Sequence, residues 1–524
     1  MLGARSVASV ESRLTGWPRS ILIGGPAGFL ITIGVVVAAA RAGVSQDVSL
    51  PRWWGGWHHR ERGQLRGWVG AGMVLLGAQC ALWVWLAQHA LRPWKADVHR
   101  ADLDVGFAEQ MWRRWRIPAL IGVAGLWTLP LLVTAPLGSL DVQSYAAVGR
   151  LASLGLDPYV ATPGWLADRF VAAVDPMWRW TPTPYGPLQV ALLRGIVLLS
   201  AGHVGVAVLL IRLVAVLGAV CAVGLALRVA SRADRVAVLV VTALNPVLLV
   251  HVVSGAHLDV LIGALALIVV VLSRSGRPVL AMSLAVVAAS IKLPGAVLVG
   301  FVLLDLLRAR PGVAKPGGLL RAASSGLGTL GLIVVLCPNP FGWLSALGVP
   351  GISRNGTAPS TWVSYLVAGV TGQTSSSGLA FAFGIGRTMT ALIGVLAVCL
   401  MLWKATSGSR SAAFHGVGWA LVILALTAPA LYPWYLTWGL FAAAVGSGVR
   451  GRVVLMGLSC ALSLAVAGGE GTMLIVTLAV VLLAVLGWTT WVGRDLVAER
   501  PDDSVGRPAL ALSQTRGGVG WEAS

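Results

Sequence analysis

Acidic residues are scarce in this chain of 524 residues, and one of them stands where an apolar segment gives way to a long polar loop. Asp141, in the run GSLDVQSY, opens a loop of about fifty residues that extends from Pro136 to Pro187. A carboxylate held at a membrane surface can accept a proton from a hydroxyl group, or bind a metal or a sugar. If the next segment is helical, Asp141 is its N-cap, and Tyr145 lies one turn further on the same face. The plain alternative is a helix cap with no further role.

The same loop continues through GLDPY, which holds Asp157 and Tyr159, and closes on TPTPYGP, which holds Tyr185. An aspartate before a proline most often forms a turn, so a turn is the competing interpretation of Asp157. The loop tryptophans suit either a sugar-stacking platform or an interfacial aromatic belt, and the belt is the preferred interpretation. They are Trp165, Trp178 and Trp180.

A second polar group lies in the run NPVLLVHVVSGAHLDV, over residues 245–260, with His251, His257 and Asp259 inside apolar sequence. Polar side chains within membrane spans are unfavourable and usually face a cavity or one another. A lone histidine could simply join two helices by a hydrogen bond, but two histidines and an aspartate together favour a functional role. A metal site is possible in principle, although the HxD spacing of His257 and Asp259 without further ligands is weak evidence for it.

Lys292, in the run SIKLPG, is the only charged residue between Arg277 and Asp305. It stands where two short apolar segments meet before Pro294, and a buried cation there needs an anionic partner. One candidate is an aspartate such as Asp259. The other, which we prefer from the sequence, is a lipid phosphate, for which lysine is a compact point charge.

Two further segments could contribute to a site. Arg354 lies in ISRNGTAPSTW, a polar run with several hydroxyl groups, and the run LYPWYLTW supplies Tyr432, Trp434 and Tyr435. An aromatic belt at the membrane boundary is the default interpretation of the second run.

The composition defines what must position these residues. The chain is 57% hydrophobic and 11% charged, with a mean hydropathy of +0.82. Soluble proteins carry about 25% charged residues, and apolar runs of about 20 residues recur here, so we predict an all-α, polytopic membrane protein. The net charge is +19, and the basic residues that cause it cluster in short loops between apolar segments. It therefore indicates membrane topology and contact with anionic lipids, and no nucleic-acid partner is expected.

About thirteen or fourteen transmembrane helices are predicted, and basic loops place both termini on the cytoplasmic side. The predicted spans are 20–41, 67–89, 117–136, 203–227, 236–253, 257–273, 279–291, 294–308, 322–338, 380–403, 412–429, 433–447, 453–467 and 472–492. The predicted organisation is a cytoplasmic N-terminus over 1–19, a transmembrane catalytic domain over 20–493, and a cytoplasmic, disordered tail over 494–524. Two loops fall on the outer side, a main one over 136–202 and a second over 339–379. Residues 188–200 are predicted to form an amphipathic helix on the outer surface.

Five runs, in chain order, resemble one known family. DVQSYAAVGRLASLGLDPY, TPTPYGPL, NPVLLVHVVSGAHLD, IKLPG and LYPWYLTW are similar to runs in the actinobacterial mannosyltransferases that use polyprenol-phosphate-mannose and form α-(1→6) linkages. That family extends the mannan backbone of lipomannan and lipoarabinomannan. The resemblance covers most of residues 117–440, and it implies the GT-C glycosyltransferase fold, a catalytic aspartate in an outer loop and a polyprenyl-phosphate sugar as donor.

The resemblance assigns roles to single residues. Asp141 matches the loop aspartate of the family, which implies a general base, while Lys292 and His257 match positions that imply binding of the donor phosphate. GT-C enzymes often carry paired acids in this loop, whereas Val142 follows Asp141 here. No metal site and no cofactor are therefore predicted. The supporting, substrate-binding residues expected around these three are Tyr145, Asp157, Tyr159, Tyr185, His251, Asp259, Arg354, Tyr432, Trp434 and Tyr435.

The implied function is transfer of mannose, with inversion, at the outer face of the cytoplasmic membrane. The expected donor is polyprenyl-phosphate-mannose, and the expected acceptor is a mannosylated lipid, either a phosphatidylinositol mannoside or lipomannan. One alternative is a GT-C enzyme that uses another lipid-linked sugar, such as arabinose, or makes another linkage. A more distant alternative is a flippase or transporter for a lipid-linked sugar, which would also have many spans and polar groups at mid-membrane.

Overall fold

The computed structural model describes residues 17–41, 62–91, 103–308 without 138 and 173, and 317–465 without 353 and 355. Every regular element within these residues is a helix, and no strand occurs among them. The prediction of an all-α fold is confirmed. Residues 1–16, the predicted span 472–492 and the predicted tail 494–524 lie outside the described residues.

The first described part of the chain ends at Arg274 and alternates long helices with short ones. Its α-helices are α1 (Trp17–Arg41), α2 (Arg62–Leu91), α3 (Leu103–Leu132), α4 (Asp141–Ser153), α5 (Arg169–Ala172), α6 (Pro176–Arg179), α7 (Pro187–Leu199), α8 (Val204–Val229), α9 (Arg235–Ala243) and α10 (Val260–Arg274). A π-helix, Leu248–Ser254, lies between α9 and α10.

The second described part, which begins at Pro278, also contains both long and short helices. Its α-helices are α11 (Pro278–Ile291), α12 (Ala296–Leu307), α13 (Gly318–Leu336), α14 (Pro359–Val370), α15 (Ser376–Thr406), α16 (Arg410–Leu426), α17 (Thr437–Gly446) and α18 (Val449–Ala465). A short 3-10 turn, Pro433–Leu436, leads into α17. Most of these bounds lie within about five residues of the predicted spans. Two predictions differ more: the span predicted over 117–136 belongs to a helix that begins at Leu103, and the span predicted over 236–253 is broken between α9 and the π-helix.

Six of the described helices are long and apolar enough to cross a bilayer. They contain the stretches Ser20–Arg41, Gly67–His89, Arg114–Leu132, Val204–Val229, Gly318–Leu336 and Ser376–Thr406. The prediction of a polytopic membrane protein is confirmed. Our expected count of thirteen or fourteen spans also included shorter apolar helices such as Val260–Arg274 and Arg410–Leu426, so that count stays a prediction.

The chain bends by 59° between α9 and the π-helix, and the local sequence explains the bend. Pro246 has no N–H to donate, so the helical ladder is interrupted there. The side chain of Asn245 replaces the lost contacts, since its oxygen accepts from the Val247 N–H at 2.9 Å and its nitrogen donates to the Val241 carbonyl at 3.0 Å. Asn245 is thus a structural residue, and the π-helix that follows the bend ends at Ser254, shortly before His257 and Asp259.

A second interruption separates α11 from α12. Lys292 is extended, with φ −158° and ψ 145°, and Pro294 lies in the short turn that follows. The loop before α7 docks against this break, because the Gly186 N–H donates to the Ile291 carbonyl at 2.9 Å. A β-carbon at Gly186 would lie 2.2 Å from the Ser290 carbonyl oxygen, so the approach requires glycine. This docking sets Tyr185 against Lys292.

The loop 136–202 is folded into a layer of its own. Helix α4 packs along α7, with a glycine at the contact, where a β-carbon on Gly149 would lie 2.5 Å from the Leu193 carbonyl oxygen. Helix α7 also contacts α8 and α11, so the layer rests on the bundle. The prediction of a helix over 188–200 is confirmed, and its place on the outer surface stays a prediction.

Candidate active site

A cavity of about 290 Å³ lies where α4, the loop before α7, the break at Lys292 and the turn before α17 meet. Its polar lining includes Asp141, Ser144, Trp178, Thr181, Thr183, Tyr185 and Lys292. Its apolar lining includes Val148, Leu293, Leu347, Ala391, Val395 and Leu424. Ligand sites combine apolar walls with a few convergent polar groups in this way, and such a lining suits an amphiphilic ligand.

Asp141 lines this cavity as the first residue of α4. Our prediction that it caps the helix is wrong, because Leu140 occupies the N-cap position and no side-chain cap is made. The Asp141 N–H donates instead to the Ser139 hydroxyl at 3.0 Å, and this contact satisfies the backbone amide that begins the helix. The Asp141 carboxylate is thereby released from capping. It accepts a hydrogen bond from Trp178 Nε1 at 3.1 Å.

The surroundings of Asp141 change its acidity. Helix α4 lies outside the candidate membrane spans, and burial of the carboxyl group raises the pKa of Asp141 from 3.8 to about 6. Hydrogen bonds from Ser139 and Trp178, together with the charge of Lys292, act in the opposite direction and limit the rise. A carboxylate with a pKa near the working pH is suited to general-base catalysis, because it is ionised yet basic enough to accept a proton.

Lys292 and Asp259 form an ion pair beside the cavity. The ammonium nitrogen lies 2.8 Å from Asp259 Oδ1, and the two side chains are 12% and 3% exposed. Trp438 Nε1 donates to the same carboxylate oxygen at 2.7 Å. The partner of Lys292 in the structure is therefore the aspartate that we gave second place from the sequence. Binding of a lipid phosphate by Lys292 stays a prediction.

Three aromatic rings surround the Lys292 ammonium. Its nitrogen lies 4.5 Å from the centroid of Tyr435, 5.3 Å from that of Tyr185 and 5.5 Å from that of Trp438. Rings at such distances attract a cation electrostatically and exclude water from it. All four residues line the cavity, so the ammonium is held in a fixed position at its wall.

His257 lies behind the cavity wall and is fully buried. Its Nδ1 is 3.0 Å from the Tyr145 hydroxyl, and its ring stacks on Trp434 with centroids 3.5 Å apart. Trp434 stacks in turn on Tyr432, at 4.9 Å, and these two rings line the cavity. The structure therefore places His257 and Tyr145 as supports of the lining aromatics. Direct contact of His257 with a donor phosphate stays a prediction.

His251 is also buried, and it packs near Trp434 with ring centroids 5.7 Å apart. Neither of its ring nitrogens has a hydrogen-bond partner among the described residues. A membrane belt was the default interpretation of Tyr432, Trp434 and Tyr435, whereas the family resemblance implied substrate binding. Trp434 and Tyr435 are only 4% and 7% exposed, which does not fit a belt. They form the cavity wall.

Asp157 and Tyr159 lie away from the cavity, at the contact between the two long loops. The Asp157 carboxylate accepts from Asn339 Nδ2 at 2.7 Å and from the Tyr159 N–H at 2.9 Å. The contact with the Tyr159 N–H closes a local turn, as the competing interpretation of Asp157 predicted. The structure does not bring these two residues into the cavity lining, so their observed role is to join residues 155–160 to the segment around Asn339.

Arg354 also lies outside the cavity lining. Its guanidinium carbon is 5.0 Å from the centroid of Phe383 on α15. Arg387, one turn after Phe383 on the same helix, approaches that ring to 5.1 Å. The sequence interpretation did not single out Arg387.

Two further site residues escaped the sequence interpretation. Trp178, assigned to a membrane belt, donates to Asp141 across 37 positions of the chain, and no local pattern predicts such a contact. Trp438 binds Asp259, which is 179 positions distant. A signal for Trp438 does exist, since it lies one helical turn after Trp434 and shares a face with it.

Asp141, His257 and Asp259 together offer the ligand types of a metal centre across two loops, which would contradict the metal-free prediction. Within the described ranges, no three His, Cys, Asp or Glu side chains gather closely enough to hold an ion. Metal independence nevertheless stays a prediction to be tested with a chelator.

The chain is similar in sequence to known proteins. Residues 21–308 match the family model described as alpha-(1->6)-mannopyranosyltransferase, N-terminal domain, and residues 360–493 match the MptB C-terminal domain. The chain is 30% identical over 387 residues to a probable alpha-(1->6)-mannopyranosyltransferase of Mycolicibacterium smegmatis, with 64% of this chain and 66% of that protein covered.

Two other relatives have similar names. The chain is 29% identical over 358 residues to alpha-(1->6)-mannopyranosyltransferase A of Mycobacterium tuberculosis, covering 64% of this chain and 66% of the relative. It is 27% identical over 344 residues to alpha-(1->6)-mannopyranosyltransferase B of Corynebacterium glutamicum, covering 60% and 57%. The chain thus spans just under two thirds of the length of the first two relatives. No solved structure matches it.

Proposed function

The chain belongs to the alpha-(1->6)-mannopyranosyltransferase family, and from that premise we propose that it is a membrane mannosyltransferase of the GT-C type. Its donor is polyprenyl-phosphate-mannose, and its acceptor is a mannosylated lipid, a phosphatidylinositol mannoside or lipomannan. The reaction takes place on the outer face of the cytoplasmic membrane, with both termini on the cytoplasmic side. The names of the relatives support the reaction class, and the geometry of the cavity supports the mechanism.

The observation that carries the proposal is Asp141, a carboxylate of raised pKa at the wall of an otherwise largely apolar cavity. In the transfer step the acceptor's 6-hydroxyl oxygen attacks the anomeric carbon of the donor mannose. Its proton passes to the Asp141 carboxylate, and the bond between that carbon and the phosphate oxygen breaks. The electron pair leaves with the phosphate, so one displacement converts a β-linked donor into an α-linked product.

Trp178 positions the base. Its Nε1 donates to Asp141 Oδ1 at 3.1 Å, which fixes one carboxylate oxygen and directs the other to the acceptor. A general base must lie within hydrogen-bond reach of the proton it removes, so this orientation matters for the rate. Tyr185 and the stacked Tyr432 and Trp434 give flat surfaces in the cavity for a sugar ring.

Lys292 stabilises the leaving phosphate group. One of its three N–H donors is engaged by Asp259, and the ammonium lies at the cavity wall. A donor placed at the oxygen on which charge develops stabilises the transition state more than the ground state. Because Asp259 compensates the lysine charge, Lys292 contributes directed hydrogen bonds more than net attraction. His257, behind Trp434, supports this wall.

The apolar lining receives the polyprenyl tail. Leu293, Val395 and Leu424 line the cavity, and the side chains of Leu293 and Val395 are also exposed at the protein surface. A lipid-linked donor needs such a surface beside a polar reaction centre, whereas a water-soluble nucleotide sugar does not. This contrast favours a lipid-linked donor.

The proposal is tested by reconstituting the purified chain in liposomes with radiolabelled polyprenyl-phosphate-mannose and a phosphatidylinositol mannoside acceptor, without a membrane gradient. Transfer to the acceptor, with an α-(1→6) linkage in the product, supports the proposal. Transfer only from lipid-linked arabinose would assign another GT-C activity. Movement of the labelled lipid between leaflets without a new glycosidic bond would assign a flippase.

A further inference from the structure

Among the described residues that line the cavity, Ser144, Thr181, Thr183 and Thr427 carry an aliphatic hydroxyl group. Two of these hydroxyls are satisfied by the protein itself. Those of Thr181 and Thr427 donate to nearby backbone carbonyls, at 3.2 and 2.8 Å. The hydroxyl oxygens of Ser144 and Thr183 have no hydrogen-bond partner among the described residues.

These two unpaired side chains are buried, with exposed fractions of 8% for Ser144 and 4% for Thr183. A buried hydroxyl without a partner has lost its hydrogen bonds to water, so it destabilises the folded protein. Most buried polar groups are paired for this reason, and an unpaired one at the wall of a ligand cavity calls for a partner on the ligand. A hydroxyl both donates and accepts, as the hydroxyls of a sugar do, so the two kinds of group pair readily.

Ser144 shares the cavity side of α4 with the proposed base. It follows Asp141 by three positions, and Val148, one turn further on, also lines the cavity. A serine or threonine within a helix can satisfy its hydroxyl by donating to the carbonyl four residues earlier. Thr242 and Ser364 do so, each at 2.7 Å, whereas Ser144 does not. Its hydroxyl is therefore left for a ligand that lies beside Asp141.

Thr183 lies between two prolines in the loop before α7. Pro182 and Pro184 each have a fixed φ angle, and the residue before a proline is restricted to extended conformations. The Thr183 N–H also donates to the Pro158 carbonyl at 3.1 Å, which joins this segment to the run GLDPY. The backbone that carries the Thr183 hydroxyl is thus held in place before a ligand binds, which reduces the entropy lost on binding.

The position of the base defines which sugar these hydroxyls face. In the proposed mechanism the acceptor's 6-hydroxyl lies within hydrogen-bond reach of Asp141, so the ring of the acceptor sugar lies beside α4. Side chains three positions apart on a helix have Cβ atoms about 5–6 Å apart, which places Ser144 about one sugar ring from Asp141. A chain joined by α-(1→6) linkages uses only carbons 1 and 6, so the hydroxyls on carbons 2, 3 and 4 remain free for recognition.

From these observations we infer that Ser144 and Thr183 bind ring hydroxyls of the acceptor mannose and form the acceptor-sugar subsite of the cavity. The inference rests on the proposed function and deepens it, because it names the residues that recognise the acceptor sugar. They hold the ring in the orientation that directs its 6-hydroxyl to Asp141. A sugar that lacks the matching hydroxyls leaves these buried groups unpaired, so the subsite discriminates against it.

The test measures binding of an acceptor analogue in the absence of donor. Octyl α-mannoside, and three analogues that each lack the hydroxyl on carbon 2, 3 or 4, are titrated into the purified full chain in a detergent without sugar headgroups. Ser144→Ala and Thr183→Val are each expected to raise the Kd of octyl α-mannoside about tenfold, as loss of one buried hydrogen bond implies. Thr183→Ser keeps the hydroxyl and should bind with nearly the wild-type affinity.

Each protein hydroxyl should be coupled to one hydroxyl of the sugar. Loss of that sugar hydroxyl should weaken binding to the wild-type protein about tenfold, and it should cause no further loss in the variant that lacks its protein partner. Ser463→Ala on α18 and Thr361→Val on α14 are the matched controls. They also remove buried hydroxyls that have no partner among the described residues, but neither residue lines the cavity, so both variants should bind every sugar as the wild type does.

Thermal unfolding separates a binding role from a structural one. Ser144→Ala and Thr183→Val each remove an unpaired buried hydroxyl, so the Tm of the free protein should be equal to or above that of the wild type. A structural role would instead lower the Tm of both variants and weaken the binding of all four sugars equally.

The inference would be overturned by a wild-type protein that shows no saturable binding of octyl α-mannoside, by an unchanged Kd in both variants, or by the absence of coupling to any sugar hydroxyl. A raised KM for the donor with an unchanged KM for the acceptor would also overturn it and would assign the hydroxyls to the donor sugar. Activity separates this inference from the function on which it rests. A wild-type protein that transfers mannose, beside variants with an unchanged acceptor KM, would refute the subsite alone. A wild-type protein that shows the coupled binding but transfers no mannose would refute the function alone.

Discussion

Lys292 and Asp259 meet at 2.8 Å although 33 positions separate them, and each stands where a helix of the bundle is interrupted. Lys292 is extended between α11 and α12, and Asp259 immediately precedes α10, after the π-helix. An ion pair with both partners nearly buried is stable only when further hydrogen bonds support it. Trp438 supplies such a bond to Asp259, so the pair joins two broken helices and the first turn of α17.

This relationship predicts how the pair responds to mutation. Lys292→Ala leaves a buried carboxylate without its cation, and we expect a loss of about 3–5 kcal/mol in the free energy of unfolding. Lys292→Ala/Asp259→Ala removes both charges and should recover much of that stability without recovering transfer activity. Thermal unfolding in detergent, combined with turnover assays, checks both parts. A double variant with normal turnover would show that Lys292 serves structure alone.

The acidity of Asp141 predicts the pH dependence of the reaction. Burial raises its pKa to about 6, and only the ionised carboxylate can accept the acceptor's proton. The value of kcat/KM should therefore be low at pH 5, rise through a midpoint near pH 6 and level off above it. Measurement between pH 5 and 8 at constant ionic strength checks this. A rate that falls over the same interval would contradict a carboxylate base.

Trp178→Phe tests the orientation of that base. The substitution keeps an aromatic ring and removes the Nε1 donor that stabilises the ionised Asp141. The pKa of Asp141 should rise, and the midpoint of the pH profile should move to higher pH by up to about one pH unit. Trp165→Phe, at an exposed tryptophan of the same loop, is the matched control and should keep the wild-type midpoint. Identical profiles for both variants would remove Trp178 from the mechanism.

The transfer reaction is predicted to need no divalent metal ion. We expect turnover to persist in excess EDTA, since Asp259 is engaged with Lys292 and Trp438, and Val142 stands where a second acid would follow Asp141. The assay compares initial rates with and without chelator. Loss of turnover that added magnesium, manganese or calcium restores would require a metal ligand set and would contradict this prediction.

The sequence predicts the parts of this structure that depend on neighbouring residues, and it does not predict contacts between residues that are distant in the chain. Apolar runs define most of the helices to within a few residues, and SIKLPG marks the break at Lys292, because length, proline and charge act locally. The cap was predicted wrongly because Ser139, two residues before Asp141, satisfies the helix amide instead. Trp178 could not be predicted, since its contact with Asp141 depends on how the whole loop 136–202 folds.

The positions of the other candidates follow the same rule. The sequence brings Lys292 and Tyr435 into the site through recognisable runs, and the structure places both at the cavity wall. Asp157 and Tyr159 belong to an equally recognisable run, GLDPY, yet they join two loops. A motif identifies a segment, but only the packing of the bundle decides which of its side chains face the cavity.

The central claim is that the Asp141 carboxylate is the base for mannosyl transfer, and Asp141→Asn tests it most directly. The amide is nearly the same size and cannot accept the proton, so transfer in reconstituted liposomes should fall by about 10²- to 10⁴-fold. Asp175→Asn is the control. It removes the same charge from a residue of the same loop that caps a short helix, and it should keep wild-type activity. A folded Asp141→Asn protein that transfers mannose at a rate near that of the Asp175→Asn control would contradict the account.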